Sequence, residues 1–166
     1  MSKHITKEIP VSLHVKKYLE YTFGKQYTFS KNDFLGRIIF GVFQRGYRLR
    51  EKVRLDTTYS IKLTEDNINR LGRHVKWEDC LSLDKGIDSV FRNQLHFLMN
   101  IHKKLGFESA KEAMLQGLYE IGITESDINF ESLYRDYDRK KRYTKNKRSK
   151  PNSLKNRKPS SYDFFN

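Results

Sequence analysis

Five histidines, one cysteine and a pair of nearby tyrosines are the side chains of this chain best suited to bond-making chemistry. A helical zinc site wants histidines at i and i+4. His96 and His102 instead stand six apart on one periodic stretch. His102 lies on the apolar stripe and reads as a core or boundary histidine. His74 and Cys80 offer one borderline and one soft ligand, too few for zinc. Cys80 could act as a nucleophile only with a histidine brought to it by the fold, and a buried thiol is expected. Tyr134 and Tyr137, set among basic residues, are of the type that attacks DNA phosphate. Nucleases of that kind use a close His-apolar-His metal pair, which the scattered histidines do not form, so both tyrosines are expected in the core. There is no glycine-rich phosphate loop. The expectation is a protein without catalytic residues, cofactor or metal.

Charge carries the stronger signal. The chain holds 33 Lys and Arg against 20 Asp and Glu, a net +13 over 166 residues. Residues 139–166 contain 11 of those cations and a single acid, Asp163, so the rest of the chain stands at only +3. The C-terminal cations begin with Arg139, Lys140, Lys141 and Arg142 and continue through Lys145, Lys147, Arg148 and Lys150. A second concentration falls in RIIFGVFQRGYRLREKVRL (37–55), where Arg37, Arg45, Arg48, Arg50, Lys52 and Arg54 face one acid, Glu51. A polycation of this kind points to a polyanion, because neutralising phosphates releases their condensed counterions. Anionic membrane fits less well, since the tail lacks the apolar stripe of an interfacial helix. No run approaches the 18 apolar residues of a membrane span, and the first residues are charged where a signal peptide needs an apolar run. A lone cysteine suits a reducing compartment. A soluble intracellular protein is therefore expected.

Helices are expected to position these cations. PVSLHVKKYLEYTFG (10–24) has Ser12 as its cap, Val15, Tyr18, Leu19 and Phe23 on one face, and Gly24 as its stop. In 30–46, Ser30 with Asp33 resembles a capping box, and Phe34, Leu35, Ile38, Ile39, Val42 and Phe43 make an apolar face. VRLDTTYSIKL (53–63) alternates Tyr59, Ile61 and Leu63 with polar residues and reads as a strand or hairpin. Residues 64–72 read as a short helix, and 73–84 are ambiguous. Over 83–106, Ile87, Val90, Phe91, Leu95, Leu98, His102 and Leu105 track one helical face up to Gly106. Ser109 and Glu112 form a capping box for a helix over 109–122. Thr124 opens a short helical turn, and Asn129 caps a last helix with Phe130, Leu133, Tyr134 and Tyr137 inward. Beyond 142 the apolar pattern ends, and 143–166 are expected to be a disordered basic tail.

The unit 109–142 has the makings of a helix–turn–helix: Gly122 sits between Ile121 and Ile123, and Ile128 can pack inward. On its last helix Arg135, Arg139 and Arg142, at i, i+4 and i+7, form a basic ridge. Arginine suits both phosphate and guanine edges. Glu131, Asp136 and Asp138 share that helix. Pairing of Glu131 with Arg135 and of Asp138 with Arg142 would turn the ridge into an ordinary solvated face.

The stretches EIPVSLHVKKYLEYTFG and EIGITESDINFESLYRDYDRKKR, about a quarter of the chain, resemble the ends of short basic proteins encoded by bacteriophages and mobile elements. Such proteins are commonly taken to bind DNA. The resemblance implies a phage or mobile-element origin, with the cytoplasm of a bacterial host or packaging inside a virion as the location, and a role near DNA; it implies no catalytic residue.

The combined expectation is a mainly α fold. A single helical domain over 1–142 carries a minor strand or hairpin and is followed by a disordered basic tail. The expected function is non-enzymatic binding of nucleic acid, DNA rather than RNA, through the tail and a basic surface on the body. The competing class is a virion or host-interaction protein whose tail only tolerates nucleic acid. For a protein partner the aromatic tip SYDFFN (161–166), on its basic tether, is the candidate docking motif.

Overall fold

The computed structural model describes residues 4–45, 55–71, 76–106 and 109–149, with the side chains of 43–45, 70–71 and 145–149 excepted. The fold is mainly helical with one small sheet, as expected. Along the chain run β1 (His4–Val11), α1 (Leu13–Phe23), β2 (Gln26–Thr28), α2 (Phe34–Arg45), β3 (Thr57–Thr64), α3 (Glu65–Leu71), α4 (Trp77–Lys104), α5 (Ala110–Ile121) and α6 (Phe130–Ser149). Two compact units divide the chain, Met1–Phe130 and Glu131–Asn166. No helix among the described residues is long and apolar enough to cross a membrane.

The expected strand is β3, and Tyr59, Ile61 and Leu63 are its buried face. Its partners are remote in sequence, so it is not half of a local hairpin. β3 lies between β1, antiparallel, and β2, parallel, with Ile9 opposite Tyr59 and Tyr27 opposite Ile61. Neither outer strand is legible locally: only Ile9 and Val11 of β1 are buried, and β2 is three residues long. The helix read in 10–24 begins at Leu13, directly after Ser12, and the preceding Pro10 and Val11 belong to β1. Pro10 is tolerated there since β1 is an edge strand, where a missing N–H costs no ladder bond.

The long helix α4 is the spine of the first unit. It packs against α1, α2, α5 and β1. It starts at Trp77, so most of the ambiguous 73–84 stretch is its first turns, with Glu78 and Asp79 at the positive end of the dipole. Its buried stripe runs Cys80, Leu83, Ile87, Phe91, Leu95 and Met99. That stripe is rotated slightly from the expected face: Met99 is buried in place of Leu98 and His102, and Leu105 lies past the helix end, 68% exposed. The Phe91 ring meets those of His14 and Tyr18 from α1 at 6.0 and 5.4 Å.

Two caps differ from the sequence expectation. Ser12 precedes α1 but makes no side-chain cap bond; its N–H and hydroxyl both donate to Asp84 on α4, at 2.8 and 2.9 Å. At α2 the cap is Asp33 alone, whose carboxylate accepts the Gly36 N–H at 2.8 Å. Ser30 instead accepts from Asn32 within the preceding turn. α5 is capped by Ser109 as expected, its Oγ accepting the Glu112 N–H at 3.4 Å. It ends in a Schellman motif: Gly122 is left-handed (φ 72°), and Ile123 and Gly122 N–H donate to Leu118 and Tyr119 carbonyls, both at 2.9 Å.

Candidate nucleic-acid interface

Of the candidate cations, those on α6 have the best-defined surroundings. Helix α6 carries eight Lys and Arg against three acids. Its apolar positions behave as the i, i+3, i+4, i+7 pattern requires: Leu133 and Tyr137 are buried, with Phe130 and Tyr134 partly so. Arg135, Arg139 and Arg142 are exposed, together with Lys140 and Lys141. Arg135 is held by Glu131, as expected, Nε to Oε1 at 3.3 Å with both side chains more than half exposed. The acid that engages Arg139 is Asp136, at 2.7 Å, and the same carboxylate meets Lys140 at 3.2 Å. Asp136 is only 12% exposed, so this carboxylate lies beneath its two cations and leaves them as the outer layer. Lys141 stands over the Tyr137 ring at 5.7 Å. The Glu131–Arg135 pair is exposed on both sides and contributes at most about 1 kcal/mol, so phosphate oxygens can replace that acid as partner.

The helix does not stop where its apolar pattern stops. The backbone of 143–149, expected as the start of a disordered tail, continues α6 through Ser149. Extending a helix already anchored by Leu133 and Tyr137 avoids the nucleation cost that a separate basic helix would face. Lys145, Lys147 and Arg148 are therefore on α6, whereas Lys150 and the rest of the tail, SYDFFN included, lie outside the described residues.

In the 37–54 cluster, Arg37 is exposed on α2, with Nη2 3.5 Å from the Asn32 carbonyl oxygen. Arg45 is in the last turn of α2. Arg48, Arg50, Lys52 and Arg54 lie outside the described residues, as does His74. The connection between α5 and α6, residues 122–129, is built by Thr124 and Asp127. Thr124 N–H and hydroxyl donate to Asp127 at 2.7 and 3.0 Å, and Lys17 of α1 reaches the same oxygen at 2.5 Å. This is the helix, short turn, helix layout expected for 109–142. The connection is longer than the three or four residues of a compact helix–turn–helix.

One polar cluster has no counterpart in the sequence reading. Asp88 accepts from Arg92 Nε at 2.7 Å and faces His14 Nε2 at 3.0 Å, one turn along α4 from the Ser12–Asp84 contact. Burial pushes the Asp84 carboxyl up despite the Ser12 bonds. Burial also acts to raise Asp88, but the bonds from His14 and Arg92 outweigh it and hold that carboxyl below its ordinary value. The Ser12 hydroxyl is directed at Asp84 while the imidazole is directed at Asp88, so no Ser-His hydrogen bond is made and the cluster ties α1 to α4. Its only advance signal was the 84/88/92 spacing on one helix face. Cys80 is buried, and burial pushes its thiol up to about 11, which keeps it protonated and unreactive near neutral pH. Among the described residues no group of three or more His, Cys, Asp and Glu is arranged to hold a metal.

A surface groove of about 510 Å³ lies between Leu115, Tyr119, Ile123 and Phe130, with Tyr119 83% exposed. Set against family models, curated proteins and solved structures, the chain matches none of them.

Proposed function

We propose that this chain is a non-enzymatic nucleic-acid-binding protein of bacteriophage or mobile-element type, with DNA as its target. The observation that carries the reading is the outer layer of cations on α6, where Arg135, Arg139, Lys140, Lys141 and Arg142 are all exposed and Asp136 lies beneath Arg139 and Lys140. Lys145, Lys147 and Arg148 extend the same helix. The residues beyond it and the 37–54 cluster add phosphate affinity. Contacts of this kind position a protein on the duplex without reading its sequence.

Fluorescence anisotropy of a labelled duplex, titrated with the full chain across a salt series, tests the reading. Binding at low salt that weakens log-linearly with salt is expected. Removing 150–166 takes away Lys150, Lys155, Arg157 and Lys158 and leaves α6 complete. It should shrink the slope by roughly 3 to 4, at about 0.9 for each phosphate that is no longer neutralised. The second reading, an interaction protein, is favoured by the exposed apolar rim of Leu115 and Tyr119. Absence of binding by either form at low salt would decide for it.

A further inference from the structure

From Arg139 onward α6 loses every mark of a packing helix. Each residue from 139 to 144 is exposed, more than a full turn, so the helix has no buried face there. The four consecutive cations Arg139, Lys140, Lys141 and Arg142, at about 100° per residue, encircle the axis. Over 139–149 the chain carries seven cations and no acid. A helix that is polar all round needs an external reason to persist, because like charges at i, i+3 and i+4 repel. The dipole offsets part of that repulsion, since cations suit a helix C-terminus. An anion on one side would satisfy only part of the ring of charge.

We infer that residues 139–149 form a helix that enters the major groove of B-form duplex DNA, where phosphates wall it on both flanks. This rests on the nucleic-acid reading above and names the form of its target. The dimensions agree. An α-helix with side chains is about 10–12 Å across, and the B-form major groove is about 12 Å wide. Eleven helical residues span about 16 Å. Seven cations over that length are one per about 2.4 Å, comparable with one duplex charge per about 1.7 Å of axis. A-form RNA does not offer the same seat, because its major groove is too deep and narrow for a helix. Asp136 is no obstacle: it sits 12% exposed, one turn before this segment, and is already covered by Arg139 and Lys140.

The test separates helix from charge. Thr144 is exposed, and its hydroxyl donates to the Lys140 carbonyl at 2.9 Å. Thr144→Pro breaks the helix within the basic segment without altering any charge, whereas Thr144→Ala preserves it. Both are made in the full chain, with unchanged melting of the first unit as the folding control. Ligands are a DNA duplex, an RNA duplex of the same sequence and the DNA single strand. The expected result is that Thr144→Pro weakens duplex DNA binding tenfold or more and that Thr144→Ala does not. The same substitution should leave single-strand binding within about twofold. Guanine N7 in the duplex should be protected from dimethyl sulfate by the wild type and by Thr144→Ala only. Equal binding of duplex DNA by the proline variant overturns the inference, and so does equal affinity for the RNA duplex or unprotected N7. In those cases salt-dependent binding itself would still stand. Loss of all binding by the wild-type chain would sink the nucleic-acid reading along with it.

Discussion

Asp84 sits almost entirely inside the first unit, 8% exposed, and accepts two hydrogen bonds from Ser12. Bonds to a charged acceptor are worth roughly 1.5–3 kcal/mol, and buried donors left unsatisfied cost a similar amount. Asp84→Ala should therefore destabilise by about 2–3 kcal/mol in urea unfolding. Asp84→Asn keeps an acceptor and removes a charge that burial disfavours, so it should cost less than half as much. Asp88 behaves oppositely with pH. Its carboxyl is held below the unfolded value, so the ionised form stabilises the fold above the ordinary carboxylate range. That contribution is lost as pH falls through the lowered value. Asp88→Asn should flatten the loss of stability below about pH 4, measured by melting temperature across an acid series. A variant as acid-sensitive as the wild type would show that other carboxylates dominate. Neither aspartate stood out in the sequence, because 84 and 88 read as ordinary polar positions of an amphipathic helix until α1 is laid across them.

At the level of elements, the start of α2 is tightly constrained by one carboxylate. Asp33 caps the helix, and the Tyr27 hydroxyl of β2 donates to the same carboxylate at 2.6 Å while accepting the Ser30 N–H at 3.0 Å. Burial, with Asp33 beside it, raises the Tyr27 hydroxyl well above its ordinary value. Gly36 lets this turn close: a Cβ there would fall 1.6 Å from the Ser30 carbonyl oxygen, a backbone atom that cannot swing away. Gly117 is also tight, but its neighbour is the Leu98 side-chain tip at 2.9 Å. Overpacking costs about 1–3 kcal/mol. Gly36→Ala should lie at or beyond the top of that range and Gly117→Ala near the bottom, as read from urea midpoints. A smaller loss at Gly36 would mean that the turn can open. Helix periodicity placed α1, α2, α5, the body of α4 and the start of α6, since i, i+3, i+4 spacing is a local property, but it missed the first turns of α4 from Trp77. It could not place β1 and β2, whose pairing with β3 joins segments some 35 to 60 residues apart. Nor could it see α6 running on to Ser149, since 143–149 lack the apolar face by which helices are recognised.

For the whole molecule, the governing quantity is the placement of a net +13. Ion pairs moderate the ridge on α6 without erasing it, so its contribution should appear as a salt effect rather than as a stability effect. Arg135→Ala with Arg139→Ala removes two exposed cations and should lower the salt slope of DNA binding by about 2. Melting should be nearly unchanged, because surface pairs contribute little. An unchanged slope would assign the affinity to the 37–54 cluster and the cations from Lys140 onward. The ridge itself was legible, because Arg135, Arg139 and Arg142 recur at helical spacing opposite Leu133 and Tyr137. Which acid would shield it was not legible. The i, i+4 spacing pairs Asp138 with Arg142, whereas side-chain geometry puts Arg139 and Lys140 on Asp136.

By itself the sequence determined the helical class, most helix positions, the Ser109 cap, the Gly122 stop and the concentration of charge toward one end. Each of these depends on residues within a turn or two of each other, or on composition alone. Tertiary structure decided what depends on distant segments meeting: the partners of β3, the transfer of Ser12 from its own helix to Asp84, and the Tyr27 clamp on Asp33. It also decided that Lys145, Lys147 and Arg148 continue a helix. A helix anchored at one end can propagate through residues that would not start one.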